Sequence, residues 1–111
     1  GPGATNALTP CAAAWMDSIP VLFISGQAKS TTLIGDTGLR VRGVQEVDII
    51  SMVKSITKLA FQPVTGGPWS SKTMMMTRLL IKNCLENRFG PCWLDVPLDV
   101  QAGESWIDRL Y

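Results

Sequence analysis

Three short apolar runs set the fold class of this chain. Val21-Leu22-Phe23-Ile24-Ser25 is continuous and of strand length. Leu59-Ala60-Phe61 is a second run, closed by Pro63, and Cys92-Trp93-Leu94-Asp95-Val96 is a third, stopped by Pro97. A run without polar alternation suits a strand covered on both faces, as in parallel sheets. Segments of helical spacing lie between these runs. Leu8, Cys11, Ala12, Trp15 and Met16 predict a helix over residues 5–17, distorted near Pro10, with Thr5 or Asn6 as its cap. Val47, Ile50, Val53 and Ile56 predict a second over residues 44–56, with Glu46 and Asp48 in a first turn that suits the helix dipole. Met75, Met76, Leu79, Leu80 and Cys84 predict a third, capped by Ser70 or Ser71 and ending near Asn87. The alternation predicts an α/β domain. It reads as a small, incomplete parallel sheet of three strands and three helices. Its first helix has no strand before it, so the domain's first strands are expected to be lacking.

Composition narrows the function. The chain has 111 residues, 46% apolar and 17% charged, with a net charge of +1. That is enough for one small core-forming domain. Its scattered Lys and Arg argue against a nucleic-acid face or a polybasic membrane patch. Without histidine, no Ser-His-Asp or Cys-His nucleophile can be completed within the chain, nor any metal site that needs imidazole. Cys11, Cys84 and Cys92 are dispersed and odd in number, so they read as free buried thiols. The run Met74-Met75-Met76 is better explained by core packing than by metal or redox chemistry. No apolar run approaches a membrane span and no signal peptide opens the chain. A soluble protein is expected, cytoplasmic or, in a eukaryote, organellar.

Two loops carry the remaining signal. Gly1-Pro2-Gly3-Ala4-Thr5-Asn6 is a glycine turn leading into a helix, a place where a backbone can approach a ligand. Residues 28–43 form a long polar connection, a length usually associated with function or disorder. Arg40 and Arg42 near its end read as solvated charges before they read as an anion site. By themselves, Asn6 would be a cap, Pro2 and Gly3 a turn, and Gln45 a surface residue.

Taken together, the motifs resemble a known family. Gly1-Pro2-Gly3-Ala4-Thr5-Asn6, Ala14-Trp15-Met16-Asp17-Ser18-Ile19-Pro20 and Ile24-Ser25-Gly26-Gln27 are similar to the pyrimidine-binding domain of acetolactate synthase-like thiamine-diphosphate enzymes. Gly43-Val44-Gln45-Glu46-Val47-Asp48, Ser55-Ile56-Thr57-Lys58 and the stretch from Gly90 to Val100 follow in register. The resemblance covers residues 1–101 and implies the C-terminal part of that domain, with 102–111 beginning a linker. It implies an incomplete doubly wound parallel sheet whose first strands and helices lie upstream of Gly1, and two downstream domains, one carrying the diphosphate and its magnesium. It also implies a 2-oxoacid substrate such as pyruvate, and a homodimer or tetramer as the active form. FAD is bound in flavin-containing members.

The family's chemistry starts from a glutamate that hydrogen-bonds the aminopyrimidine. The thiazolium carbanion then attacks a 2-oxoacid, carbon dioxide leaves, and a second carbonyl is attacked. That glutamate maps upstream of the glycine turn, so no catalytic residue is assigned here. Glu46, Glu86 and Glu104 do not match it. The resemblance places Pro2, Gly3, Asn6 and Gln45 at the cofactor and Val44 with Gln45 at the substrate pocket. Ser18 maps to a flavin-associated position. Val44 replaces a phenylalanine usual in acetolactate synthases. Pro10 stands where glycine is common, and the 28–43 connection and Gly66–Ser71 loop are further departures. The implied function is a fragment of a carboligating or decarboxylating enzyme, inactive alone, with an apolar sheet edge exposed. The competing reading is a non-catalytic, truncated module with a subunit-interaction role. A stand-alone flavodoxin-like nucleotide binder is disfavoured because the glycine turn has no strand to hang from.

Overall fold

The computed structural model describes residues 1–63 and 70–103. The Gly66-Gly67-Pro68 loop, Glu104 and most of the 102–111 segment lie outside the described residues. Three parallel strands, β1 (Leu22–Gln27), β2 (Leu59–Phe61) and β3 (Cys92–Pro97), form one sheet in the order β1-β3-β2. The helices are α1 (Leu8–Met16), α2 (Ile49–Val53), α3 (Ser71–Leu85) and the single turn α4 (Leu98–Gln101). The expected α/β architecture is present, with α4 as an additional short helix.

β3 is central and buried throughout, as its unbroken apolar run requires. Its side chains alternate between two cores. Cys92, Leu94 and Val96 pack with Leu80, Cys84 and Val100 on one face. Trp93 packs with Cys11, Ile49 and Val53 on the other. Helices therefore cover both sides of a single strand, the arrangement of a doubly wound sheet.

β1 departs from its expected double burial. It starts one residue later than the apolar run and continues through Gly26 and Gln27. Only β3 pairs with it among the described residues, and Ile24 is 67% exposed. An apolar sheet edge is thus open, as expected from the sequence.

Helix boundaries moved where tertiary contacts overrode local spacing. The chain enters α1 through a 3-10 segment, Pro2–Ala7, which gives the early start and the distortion ahead of Pro10. Pro10 falls in the first turn of α1, where its missing N–H costs little. Neither Thr5 nor Asn6 caps the helix. Thr5 Oγ1 instead donates to the Pro2 carbonyl at 2.6 Å, and the Leu8 N–H is taken by Thr5 O. The second helix is far shorter than residues 44–56. Asp48 is its cap, accepting from the Ser51 N–H at 3.0 Å, and residues 54–56 tighten into a 3-10 turn. Glu46 lies outside the helix altogether.

α3 begins as expected, with Ser70 accepting from the Thr73 N–H at 3.2 Å. Its buried stripe is Thr73, Leu80 and Cys84. Met75 is 61% exposed, Met74 and Met76 are half-buried and Leu79 is exposed, so the methionines do not pack in the core as expected. Leu80 and Cys84 fix the rotation of the helix on the sheet, which turns Met75 outward. The three thiols are free and buried. Burial raises Cys11 to about 11 and Cys92 to about 12, which keeps both protonated and inert. Among the described residues, no helix is long and apolar enough to cross a membrane.

Candidate functional site

The carboxyl-terminal half of the strands holds a buried polar cluster. Ligands of open parallel sheets sit at this end. β1 and β3 run in register, with Phe23 beside Trp93 and Ser25 beside Asp95. All four side chains therefore face the same layer. Phe23 and Trp93 stack with ring centroids 5.0 Å apart. The Trp93 indole N–H donates to Ser25 Oγ at 2.8 Å, and Ser25 Oγ donates to Asp95 Oδ1 at 2.5 Å.

Asp95 is fully buried. Its other oxygen accepts from Gln27 Nε2 at 2.9 Å and from Gln62 Nε2 at 3.0 Å. One carboxylate thus joins residues of β1 and β3 to the residue just after β2. Burial pushes its pKa up, and the donors from Ser25, Gln27 and Gln62 oppose that shift. In the sequence Asp95 is simply one residue of the third apolar run. A lone acid in an apolar run, framed by prolines, was the available signal.

The opening turn packs onto the same end. The Gly1 nitrogen donates to the Gly26 carbonyl at the end of β1. A Cβ on Gly1 would fall 1.6 Å from the Gln45 carbonyl oxygen, so only glycine fits there. The two motifs, far apart in sequence, are in backbone contact. Gln45 itself has φ +56°, a left-handed conformation that costs a non-glycine residue about 1–2 kcal/mol. Pro2, Gly3 and Asn6 are exposed on the 3-10 segment, and no described residue lies within 4 Å of a Cβ built on Gly3. Val44 is 89% exposed. A hollow of about 410 Å³ opens between Gly1, Gly3 and Ala4 on one side and Phe23, Ser25 and Gly26 on the other. None of its lining side chains is ionisable. Such a surface suits a neutral planar group better than a phosphate.

Ser18 stands apart from this cluster. It lies past the far end of α1, and its hydroxyl accepts from Arg88 Nε at 2.7 Å. A separate hollow of about 270 Å³ is lined there by Trp15, Met16, Lys58, Arg88 and Phe89. Lys58 precedes β2, and Arg88 and Phe89 precede β3, so this is the amino end of the sheet. Among the described residues, no three acidic, cysteine or histidine side chains converge as a metal site.

The 28–43 connection is ordered by two carboxylates. Asp99, in α4, accepts from the Ser30 N–H at 2.8 Å and from the Ser30 hydroxyl. Glu46 accepts from the N–H groups of Ile34 at 2.5 Å, Gly43 at 2.8 Å and Arg42 at 3.2 Å. Desolvation tends to raise the Glu46 pKa, but those N–H groups and the Arg42 charge outweigh it and hold it low. The Ser30 hydroxyl and N–H hold Asp99 low. A carboxylate with a depressed folded pKa stabilises above its unfolded value and loses that contribution as pH falls through the folded one. Acidification below the ordinary carboxylate range is therefore expected to release residues 30–43 first. Asp95, with its raised pKa, acts with the opposite sign and favours the folded state as pH falls. Amide exchange at Ser30, Ile34 and Gly43 between pH 6 and pH 3 would show lost protection there before β3; simultaneous loss would contradict the assignment.

Comparison with known proteins places these features in a family context. A family model for the thiamine pyrophosphate enzyme N-terminal TPP binding domain matches residues 1–52. The chain is 37% identical to a probable acetolactate synthase large subunit of Methanocaldococcus jannaschii, over 98% of this chain and 17% of the relative. It is 33% identical to an acetolactate synthase of Arthrospira platensis and 37% identical to one of Mycobacterium bovis, in each case over 99% of this chain and 17% of the relative. The chain thus spans 17% of the length of these curated relatives.

Proposed function

Because the chain belongs to the thiamine pyrophosphate enzymes, as part of an acetolactate synthase-like N-terminal domain, we propose that it supplies the aminopyrimidine-side wall of a thiamine diphosphate site. The parent enzyme would decarboxylate a 2-oxoacid such as pyruvate and join the product to a second carbonyl. The observation that carries this reading is the backbone contact between Gly1 and Gln45 beside an uncharged hollow. The residues present fit the group. The exposed Pro2-Gly3 turn offers a flat neutral wall, and the open space over Gly3 leaves room for a ring.

Thiamine diphosphate, when bound, supplies the carbanion that attacks the 2-oxoacid. The tasks of this chain are binding and orientation. Pro2 and Gly3 would pack against the ring face. Asn6 and the Gln45 amide would donate or accept hydrogen bonds near the cofactor, and Val44 would border the substrate. The short Val44 side chain leaves more room than phenylalanine and would admit a bulkier acceptor. The diphosphate, its magnesium and any FAD would be held by other domains or by a second subunit, with Ser18 the one flavin-side residue here.

The test is a titration of the full-length protein with thiamine diphosphate and magnesium, followed by tryptophan fluorescence. Gln45→Ala is expected to weaken binding by roughly tenfold, the loss of one or two hydrogen bonds, without lowering the melting temperature. No saturable binding by the wild type, or equal binding by the variant, would overturn the assignment.

A further inference from the structure

Gln27 is buried, 6% exposed, at the last position of β1. Every polar atom of its amide is engaged. One Nε2 hydrogen goes to Asp95 Oδ2 at 2.9 Å and the other to the Val47 carbonyl at 2.6 Å. Its Oε1 accepts from the Ala28 N–H at 3.0 Å. A flipped amide would aim Oε1 at both a carboxylate and a carbonyl oxygen. The buried Asp95 carboxylate therefore fixes which way Gln27 points. The bond to Val47 pins the chain two residues beyond Gln45. Glu46 closes the other side of the same segment on Gly43, and Gly1 abuts the Gln45 carbonyl.

We propose that Gln27, oriented by Asp95, is a positioning residue that holds the Gly43–Val47 segment in place and so keeps Gln45 in its left-handed conformation against the Gly1–Gly3 turn. Its bearing on a ligand rests on the thiamine diphosphate reading above; its hold on the segment does not. A left-handed glutamine persists only where its surroundings over-determine it. Gln27 supplies that constraint from the rigid end of a strand. The polar cluster beneath it leaves no unsatisfied buried side-chain atom among the described residues.

Two variants of the full-length protein test this. Gln27→Met keeps the side-chain length and cuts both donated bonds. Gln27→Asn keeps an amide within reach of Asp95 but is one methylene too short to span to Val47, and it guards against loss of folding in the first variant. Amide exchange is expected to quicken roughly tenfold at Gly43 and Glu46, the scale of one lost hydrogen bond. Exchange in β3 should stay unchanged. Acceleration spread evenly over the strands, or none at Gly43 and Glu46, overturns the proposal. Titration with thiamine diphosphate and magnesium separates the two readings. A wild type that does not bind removes the cofactor assignment and leaves the exchange result standing. Variants that loosen the segment yet bind as the wild type does overturn the positioning of Gln45 for the ligand.

Discussion

Alanine at Trp93 is expected to lower the unfolding free energy by about 3–5 kcal/mol, the range for large aromatic truncations in a core. Trp93 is 1% exposed, the second residue of the middle strand. It stacks on Phe23, and its indole N–H keeps the Ser25 hydroxyl aimed at Asp95. The substitution therefore removes apolar packing and loosens a buried polar cluster together. Phenylalanine at the same position would keep most of the area and lose only the donor, for a cost of about 1–2 kcal/mol. Urea denaturation measures both. A loss below about 1 kcal/mol for alanine would mean that the packing around Trp93 collapses freely.

The second large effect is expected at Gly1. An alanine methyl there would sit 1.6 Å from the Gln45 carbonyl oxygen and 2.8 Å from its carbon, both backbone atoms. No side-chain rotation can relieve the contact, so the turn must leave Gln45. Misplacement of this size at a positioned site costs on the order of a hundredfold in turnover. On the function proposed above, the measurement is kcat/KM of the full-length protein with thiamine diphosphate and pyruvate. Gly3→Ala is the informative companion. Its Cβ meets nothing within 4 Å among the described residues, so stability should hold, and any loss of cofactor affinity would report a ligand in that open space. Wild-type turnover in Gly1→Ala would refute the contact.

The parallel α/β class was legible because β3 is an unbroken apolar run between two prolines, and three such runs alternate with helical spacing. The resemblance supplied the pairing of Gly1–Asn6 with Gln45, which periodicity alone could not. Asp95 escaped notice for a physical reason. Its partners Ser25 and Gln27 come from a strand about 70 residues away, and their meeting depends on a register that no local pattern encodes. The same long-range bonds explain the truncated second helix. Val44 to Asp48 has a plausible helical period, but Gln45 is left-handed and Gln27 binds the Val47 carbonyl, which interrupts a helix there. In α3 the spacing gave the helix, while its rotation waited on where Leu80 and Cys84 met the sheet.

The position of β3 also governs how the sheet is made. Among the described residues β1 and β2 are not neighbours; each pairs with β3, the strand that follows both in the chain. During synthesis both emerge before the strand that joins them. Phe23 lacks its stacking partner, Trp93, until residues 92–97 arrive. Closure then demands contacts across about 70 residues at once, which is slow on topological grounds. Nascent chains that stall before Cys92 would therefore be the aggregation-prone species and the natural clients of chaperones.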